Sequence, residues 1–159
     1  MQIFRVHEDH MISARYLDNR RLSKQVLELY QIIRTCLKAL DLIEGKKGYL
    51  NHPIVQHVYH DGKPYIIDTF EMLKAMNIEH MRRGGMRSDA FKQDLSELER
   101  LIVHYDKENY FSREPLPPFY CYQDDRVYGE AVYEKYITLL HEKWCNDKIS
   151  PRCNIKKVL

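Results

Sequence analysis

The segment Asp18-Asn19-Arg20-Arg21-Leu22-Ser23-Lys24-Gln25 sets one carboxylate among three basic side chains at the start of an apolar periodic run. Asp18, Arg21 and Gln25 fall at i, i+3 and i+7, along one edge of a helix whose apolar stripe is Leu22, Val26 and Leu29. At the border of a core, a carboxylate and a guanidinium attract more strongly than in water and are fixed in place. Arg20 and Lys24 turn toward solvent, which suits phosphate contacts. Two roles are open to Asp18. It either caps the helix by accepting from the free N–H groups of the first turn, or it works as a catalytic carboxylate.

Asn51-His52-Pro53 offers a second polar group at a segment start. His52 there either caps a short helix or meets the Asp18/Arg21 edge, where an imidazole titrating near neutrality contacts phosphate or relays a proton. His7, His10, His57 and His60, with Cys145 and Cys153, include metal-ligand types, but their spacing predicts no metal site. The net charge of +2 neither demands nor excludes a polyanionic partner. Basic side chains for such a partner are Arg5, Arg15, Arg20, Arg21, Lys24, the Arg82/Arg83/Arg87 cluster and the tail residues Lys148, Arg152, Lys156 and Lys157.

The run Ala14-Arg15-Tyr16-Leu17-Asp18, followed by Arg20-Arg21-Leu22, resembles the helix entry of pyrimidine-dimer DNA glycosylases of the phage endonuclease V type. Met1-Gln2-Ile3-Phe4, then Leu17 through Gln25, then Asn51-His52-Pro53, are similar to a bacterial branch of that family. The likeness is strongest over residues 1–60, thinner through Arg82-Arg83-Gly84, and fades beyond Tyr105.

The resemblance implies a DNA N-glycosylase with abasic-site lyase activity on damaged or modified pyrimidines in double-stranded DNA. It calls for no metal, and we expect a monomer without a cofactor. In that chemistry an N-terminal α-amine attacks the deoxyribose C1′, the base departs, and the resulting Schiff base undergoes β-elimination. An α-amine ordinarily titrates at about 7.7 to 8.0 and a lysine at about 10.4, so far more of the α-amine is uncharged at neutral pH. By the resemblance, Met1 carries the nucleophile, Asp18 falls where the family has its catalytic glutamate, and Arg21 stands beside it. DNA contacts fall to Arg5, Arg15, Arg20, Lys24, Gln25, Asn51, His52, Arg82 and Arg83. Two departures bear on this chemistry. Gln2 is too large for efficient removal of the initiator methionine, which moves the amine to Met1, and Asp18 is shorter than glutamate by one methylene, about 1.5 Å. A non-catalytic nucleic-acid-binding relative, and a glycosylase-like enzyme acting on a free nucleotide, are the competing readings.

Positioning these groups requires a folded scaffold, and 159 residues suffice for one domain with one core. The 44% hydrophobic content supplies apolar surface against chain entropy, and only six Gly and six Pro speak against a many-turned β architecture. We therefore expect an all-α, compact single-domain bundle of four to five helices. Leu22, Val26, Leu29, Ile33, Cys36 and Leu40 predict the clearest helix over residues 18–44, closed by Gly45 and Gly48. Asn51, His52 and Pro53 open a short segment through Tyr59, and further helices are expected over 63–83, 88–104 and 125–146. Residues 110–125, with three prolines and many aromatics, read as an ordered surface loop. Residues 147–159 read as a mobile basic arm. The absence of a CxxC pair and of a long apolar N-terminal stretch predicts a cytoplasmic protein with reduced thiols and no membrane span.

Overall fold

The computed structural model describes residues 1–153, so Lys156 and Lys157 of the expected arm lie outside the described residues. Among these, six α-helices and one β-hairpin follow in order. They are α1 (His10–Tyr16), α2 (Asn19–Ala39), α3 (Pro53–Tyr59), α4 (Ile66–Arg82), α5 (Asp89–Lys107), β1 (Phe119–Tyr122), β2 (Asp125–Tyr128) and α6 (Ala131–Asn146). No described helix is long and apolar enough to cross a membrane.

α2 is the axis of the fold. Leu22, Val26, Leu29, Ile33 and Cys36 are fully buried, as their spacing predicts, and Ile32 and Leu37 widen the stripe. α4 packs along it, burying Ile66, Phe70, Leu73 and Met76. The N-terminal segment enters the same core through Ile3, Phe4 and Val6, so the start of the chain is anchored rather than trailing. α2 ends before Gly45. Asp41 adopts a left-handed φ of 58°, its N–H donates to the Lys38 carbonyl (3.0 Å), and the Leu42 N–H donates to the Leu37 carbonyl (3.0 Å). These two bonds satisfy the last turn of α2 four residues earlier than the glycines would have.

The expected bundle of four to five helices is corrected in two places. The first helix, α1, escaped the sequence reading because it is only seven residues long; Asp9 caps it by accepting from the N–H groups of Met11 and Ile12. The second correction is the hairpin, which replaces part of the expected surface loop and the first turn of the expected last helix. Phe119 pairs with Tyr128, Tyr120 with Val127, Cys121 with Arg126 and Tyr122 with Asp125. Aromatic and β-branched residues favour this pairing, and Gln123 takes a positive φ of 52° at the turn. Gly129, at φ 83°, ends β2 before α6 begins.

Candidate functional site

A cleft of about 490 Å³ opens beside the chain start, lined by the N-terminal segment (Met1, Gln2, Phe4), by α2 (Arg20, Arg21, Lys24, Gln25, Glu28), by β1 (Tyr122) and by α6 (Lys143). Arg20, Arg21, Lys24 and Lys143 face one carboxylate, Glu28, so the lining is cationic. Glu28 is half-buried and lies 3.7 Å from the Lys24 Nζ; its Oε2 accepts the backbone N–H of Gln2 at 3.3 Å. That bond ties the peptide joining Met1 and Gln2 directly to the carboxylate. Lys143 sits 5.2 Å from the centre of the Tyr122 ring, over its face.

Asp18 does not line this cleft. It caps α2, its Oδ2 accepting the Arg21 N–H at 3.2 Å, while its Oδ1 accepts from the Arg21 Nη1 (3.2 Å) and the Trp144 Nε1 (2.8 Å). Its surroundings are a smaller hollow of about 190 Å³, shared with Asn19, Arg20, Asp147 and Arg152. Three donors thus converge on this buried carboxylate. Arg21 joins the two places: it borders the cleft, yet both its terminal nitrogens reach Asp147, at 2.7 and 2.9 Å. The hydrogen bond to Asp147 chiefly holds the Arg21 pKa above its ordinary value and that of Asp147 below, despite opposing desolvation.

The other predicted contacts separate by burial. Arg20 and Lys24 are exposed, at 74% and 71% of their side-chain surface, and stand at the cleft mouth. Arg5 and Arg83 are each only 4% exposed. Arg5 donates to the Leu116 carbonyl. Arg83 donates to the carbonyls of Leu17 (2.6 Å), Arg15 (3.0 Å) and Ala14 (3.4 Å), clamping the end of α1, and to Glu79 Oε1 at 3.0 Å. Both guanidiniums are thus turned inward onto the scaffold's own carbonyls and, for Arg83, onto Glu79. Arg82 and Arg15 are more open and share the fully buried Glu79, whose Oε2 lies 2.7 Å from Arg82 Nε and 3.7 Å from Arg15 Nε. Gln25 is buried beneath the cleft at 1% exposure.

His52 caps α3, its Nδ1 accepting the Ile54 N–H at 3.1 Å, with Pro53 in the first turn and Asn51 exposed before it. Burial pushes the His52 pKa down, and the positive charges of the chain terminus and Arg126 push the same way, against Glu28. His52 is therefore electrostatically joined to the Met1 and Glu28 end of the cleft and not to Asp18. His10 bonds Asp68 (2.8 Å) and His57 the Pro117 carbonyl (2.7 Å); no group of three His, Cys, Asp or Glu among the described residues is placed to hold a metal ion.

The residue that sequence reading missed is Glu28. The series Asp18, Arg21, Gln25 at i, i+3 and i+7 reaches Glu28 at i+10, so one further step along the same helix edge would have found it. Tyr122 and Lys143 had no such signal, because the hairpin and α6 bring them in from more than 90 residues away.

A helical scaffold with an anchored chain start and a cationic cleft around one carboxylate agrees with what sequence comparison finds. Residues 1–94 match the family model of pyrimidine dimer DNA glycosylases. The chain belongs to that family, a family of DNA-repair enzymes acting on damaged DNA. No curated protein and no solved structure gives a match.

Proposed function

We propose that the protein is a DNA N-glycosylase with abasic-site lyase activity on damaged or modified pyrimidines, and that the cleft at Met1 is its catalytic centre. The observation that carries this reading is the bond between the Gln2 N–H and Glu28, which fixes the chain start against the carboxylate in a cationic cleft. The uncharged Met1 α-amine attacks C1′, the C1′–N bond to the base breaks, and the base leaves with a proton. The proton that the attacking amine sheds goes to the departing base, and protonation of O4′ from solvent then breaks C1′–O4′, opening the sugar ring to give the C1′=N iminium. Removal of a C2′ proton then breaks the C3′–O bond by β-elimination.

Glu28 stabilises the cationic sugar and iminium and accepts the moving protons. It takes the part that the resemblance gave to Asp18, and it is of the residue type that the resemblance assigns to the family. Arg20, Lys24 and Lys143 neutralise backbone phosphates around the attacked sugar. The cavity is within the size range of small-ligand sites and admits one extruded nucleotide.

Borohydride trapping tests the reading. A covalent adduct with duplexes carrying an abasic site or a pyrimidine dimer, mapped to Met1 and abolished by acetylating its amine, is the expected result. No adduct at any pH between about 6 and 9 overturns it. Salt-dependent duplex binding without an adduct would instead assign the non-catalytic relative, and indifference to DNA the free-nucleotide enzyme.

A further inference from the structure

Chain ends are ordinarily the least ordered part of a protein, so a nucleophile placed there has to be held. Residues 1–5 carry no regular secondary structure, and among the described residues the only strand pairing is that of β1 with β2. Gln25 supplies the missing neighbour. Its Nε2 donates to the Gln2 carbonyl at 2.8 Å, and its Oε1 accepts the Phe4 N–H at 2.9 Å. A carbonyl and the N–H two residues on are the pair that an extended chain offers to one side. A carboxamide answers both, with one donor and one acceptor in a single plane. At 1% exposure these bonds have little competition from water.

One turn further along α2, Glu28 accepts the N–H of the same Gln2. Residue 2 is thus gripped at its N–H and its carbonyl by two side chains of one rigid helix. Gln2 is held a third time, its Oε1 accepting from the Tyr136 hydroxyl at 3.2 Å.

The geometry points to Gln25 as the residue that positions the nucleophile: its buried carboxamide holds the chain start in register, so that the Met1 α-amine stays in the cleft that Glu28 lines. This rests on the reading of Met1 as the nucleophile. Gln25 touches neither DNA nor the reacting atoms, and acts through the backbone of residues 2 and 4.

Two variants separate positioning from DNA contact and from bulk stability. Gln25→Leu leaves the Gln2 carbonyl and the Phe4 N–H without their partner. Gln25→Glu, when ionised, keeps the acceptor for Phe4 but turns an oxygen toward the Gln2 carbonyl. When protonated it restores one donor and one acceptor, and burial favours that neutral form. Single-turnover borohydride trapping on an abasic duplex is expected to half-saturate within about twofold of wild type for both, while the maximal rate falls about tenfold or more at pH near 8. The Gln25→Glu rate relative to wild type is expected to climb back toward one as pH falls to about 5, and that of Gln25→Leu is not.

Acetic anhydride labelling of the Met1 amine, which needs no activity, is expected to run several-fold faster in both variants at pH near 8. Thermal unfolding by circular dichroism shows whether Gln25→Leu remains folded; if it does not, Gln25→Glu carries the test alone. Weaker half-saturation with an unchanged maximal rate overturns the proposal, as does unchanged trapping or labelling. A wild type that gives no adduct removes Met1 as the nucleophile and with it the catalytic purpose of Gln25, whereas the labelling still reports whether Gln25 pins the terminus.

Discussion

The carboxylate of Asp147 meets the guanidinium of Arg21 through two hydrogen bonds, 2.7 and 2.9 Å long, across 126 positions of sequence. This pairing closes the end of α6 onto the start of α2, and the Asn19 N–H adds a bond to the Arg152 carbonyl at 2.6 Å. It also occupies a cation on the wall of the cleft. A two-pronged carboxylate contact has the geometry by which arginine grips a phosphate. Asp147→Asn is therefore expected to tighten duplex binding at low salt and to steepen the dependence of log affinity on log salt by about 0.9. Binding titrations at several salt concentrations check this. Weaker binding would mean that Asp147 matters only for ordering Arg21.

Glu28 and Asp18 are separable by mutation. Glu28→Gln is expected to lower the maximal trapping rate by about a hundredfold or more while leaving duplex affinity unchanged or slightly higher. Asp18→Ala removes a cap and two side-chain partners, and is expected to lower the unfolding free energy by about 2 kcal/mol, read from urea titration. Asp18→Asn keeps an accepting oxygen at the cap and should lose little rate. A rate loss for Asp18→Asn equal to that of Glu28→Gln would return Asp18 to the centre of the chemistry.

Acid should loosen the joint between α1 and α4. The Arg82 hydrogen bond, helped by Arg83 and opposed by desolvation, holds the Glu79 carboxyl below its usual range. A carboxyl depressed on folding contributes stability that is present above its unfolded pKa of about 4.3 and is lost as pH falls through the folded value. Unfolding free energy is thus expected to fall below pH about 4 in wild type, and to fall less steeply in Glu79→Gln. Glu79→Ala strands the buried Arg83 and is expected to cost about 3–5 kcal/mol at neutral pH. An unchanged acid limb in Glu79→Gln would show that other carboxylates govern it.

Exposed and buried arginines should answer differently to the same experiment. Arg20→Gln and Lys24→Gln are each expected to reduce the salt slope of duplex binding by about 0.9 without shifting the melting temperature. Arg83→Gln is expected to lower the melting temperature, because five acceptors, the carbonyls of Ala14, Arg15 and Leu17 and the side chains of Asn19 and Glu79, lose their donor. If Arg83→Gln melts like wild type and changes only the slope, its placement in the scaffold is wrong.

Local patterns carried much of the fold. The apolar stripe of α2, the Ser88 cap whose Oγ accepts the Phe91 N–H at 3.2 Å, and the His52-Pro53 helix start are all set by residues within one or two turns. The hairpin was not legible, because Tyr110 through Asp125 offers prolines and aromatics without an alternating pattern, and its strands are four residues each. Arg5 and Arg83 show the other limit. Their burial depends on carbonyls 111 and up to 69 positions away, which a basic side chain in a sequence does not announce. The cleft combines both cases: α2 carries half its lining in one short segment, while Tyr122 and Lys143 arrive through the topology.

Burial of Ile3, Phe4 and Val6 leaves no slack between the core and the first residue. Whatever is joined ahead of Met1 must therefore begin inside the cleft. In the proposed chemistry such a fusion turns the amine into a peptide nitrogen without a nucleophilic lone pair, and fills the nucleotide's space as well. An amino-terminal affinity tag would then yield a folded but silent preparation, and its proteolytic removal would restore function only where the cut leaves no additional residue.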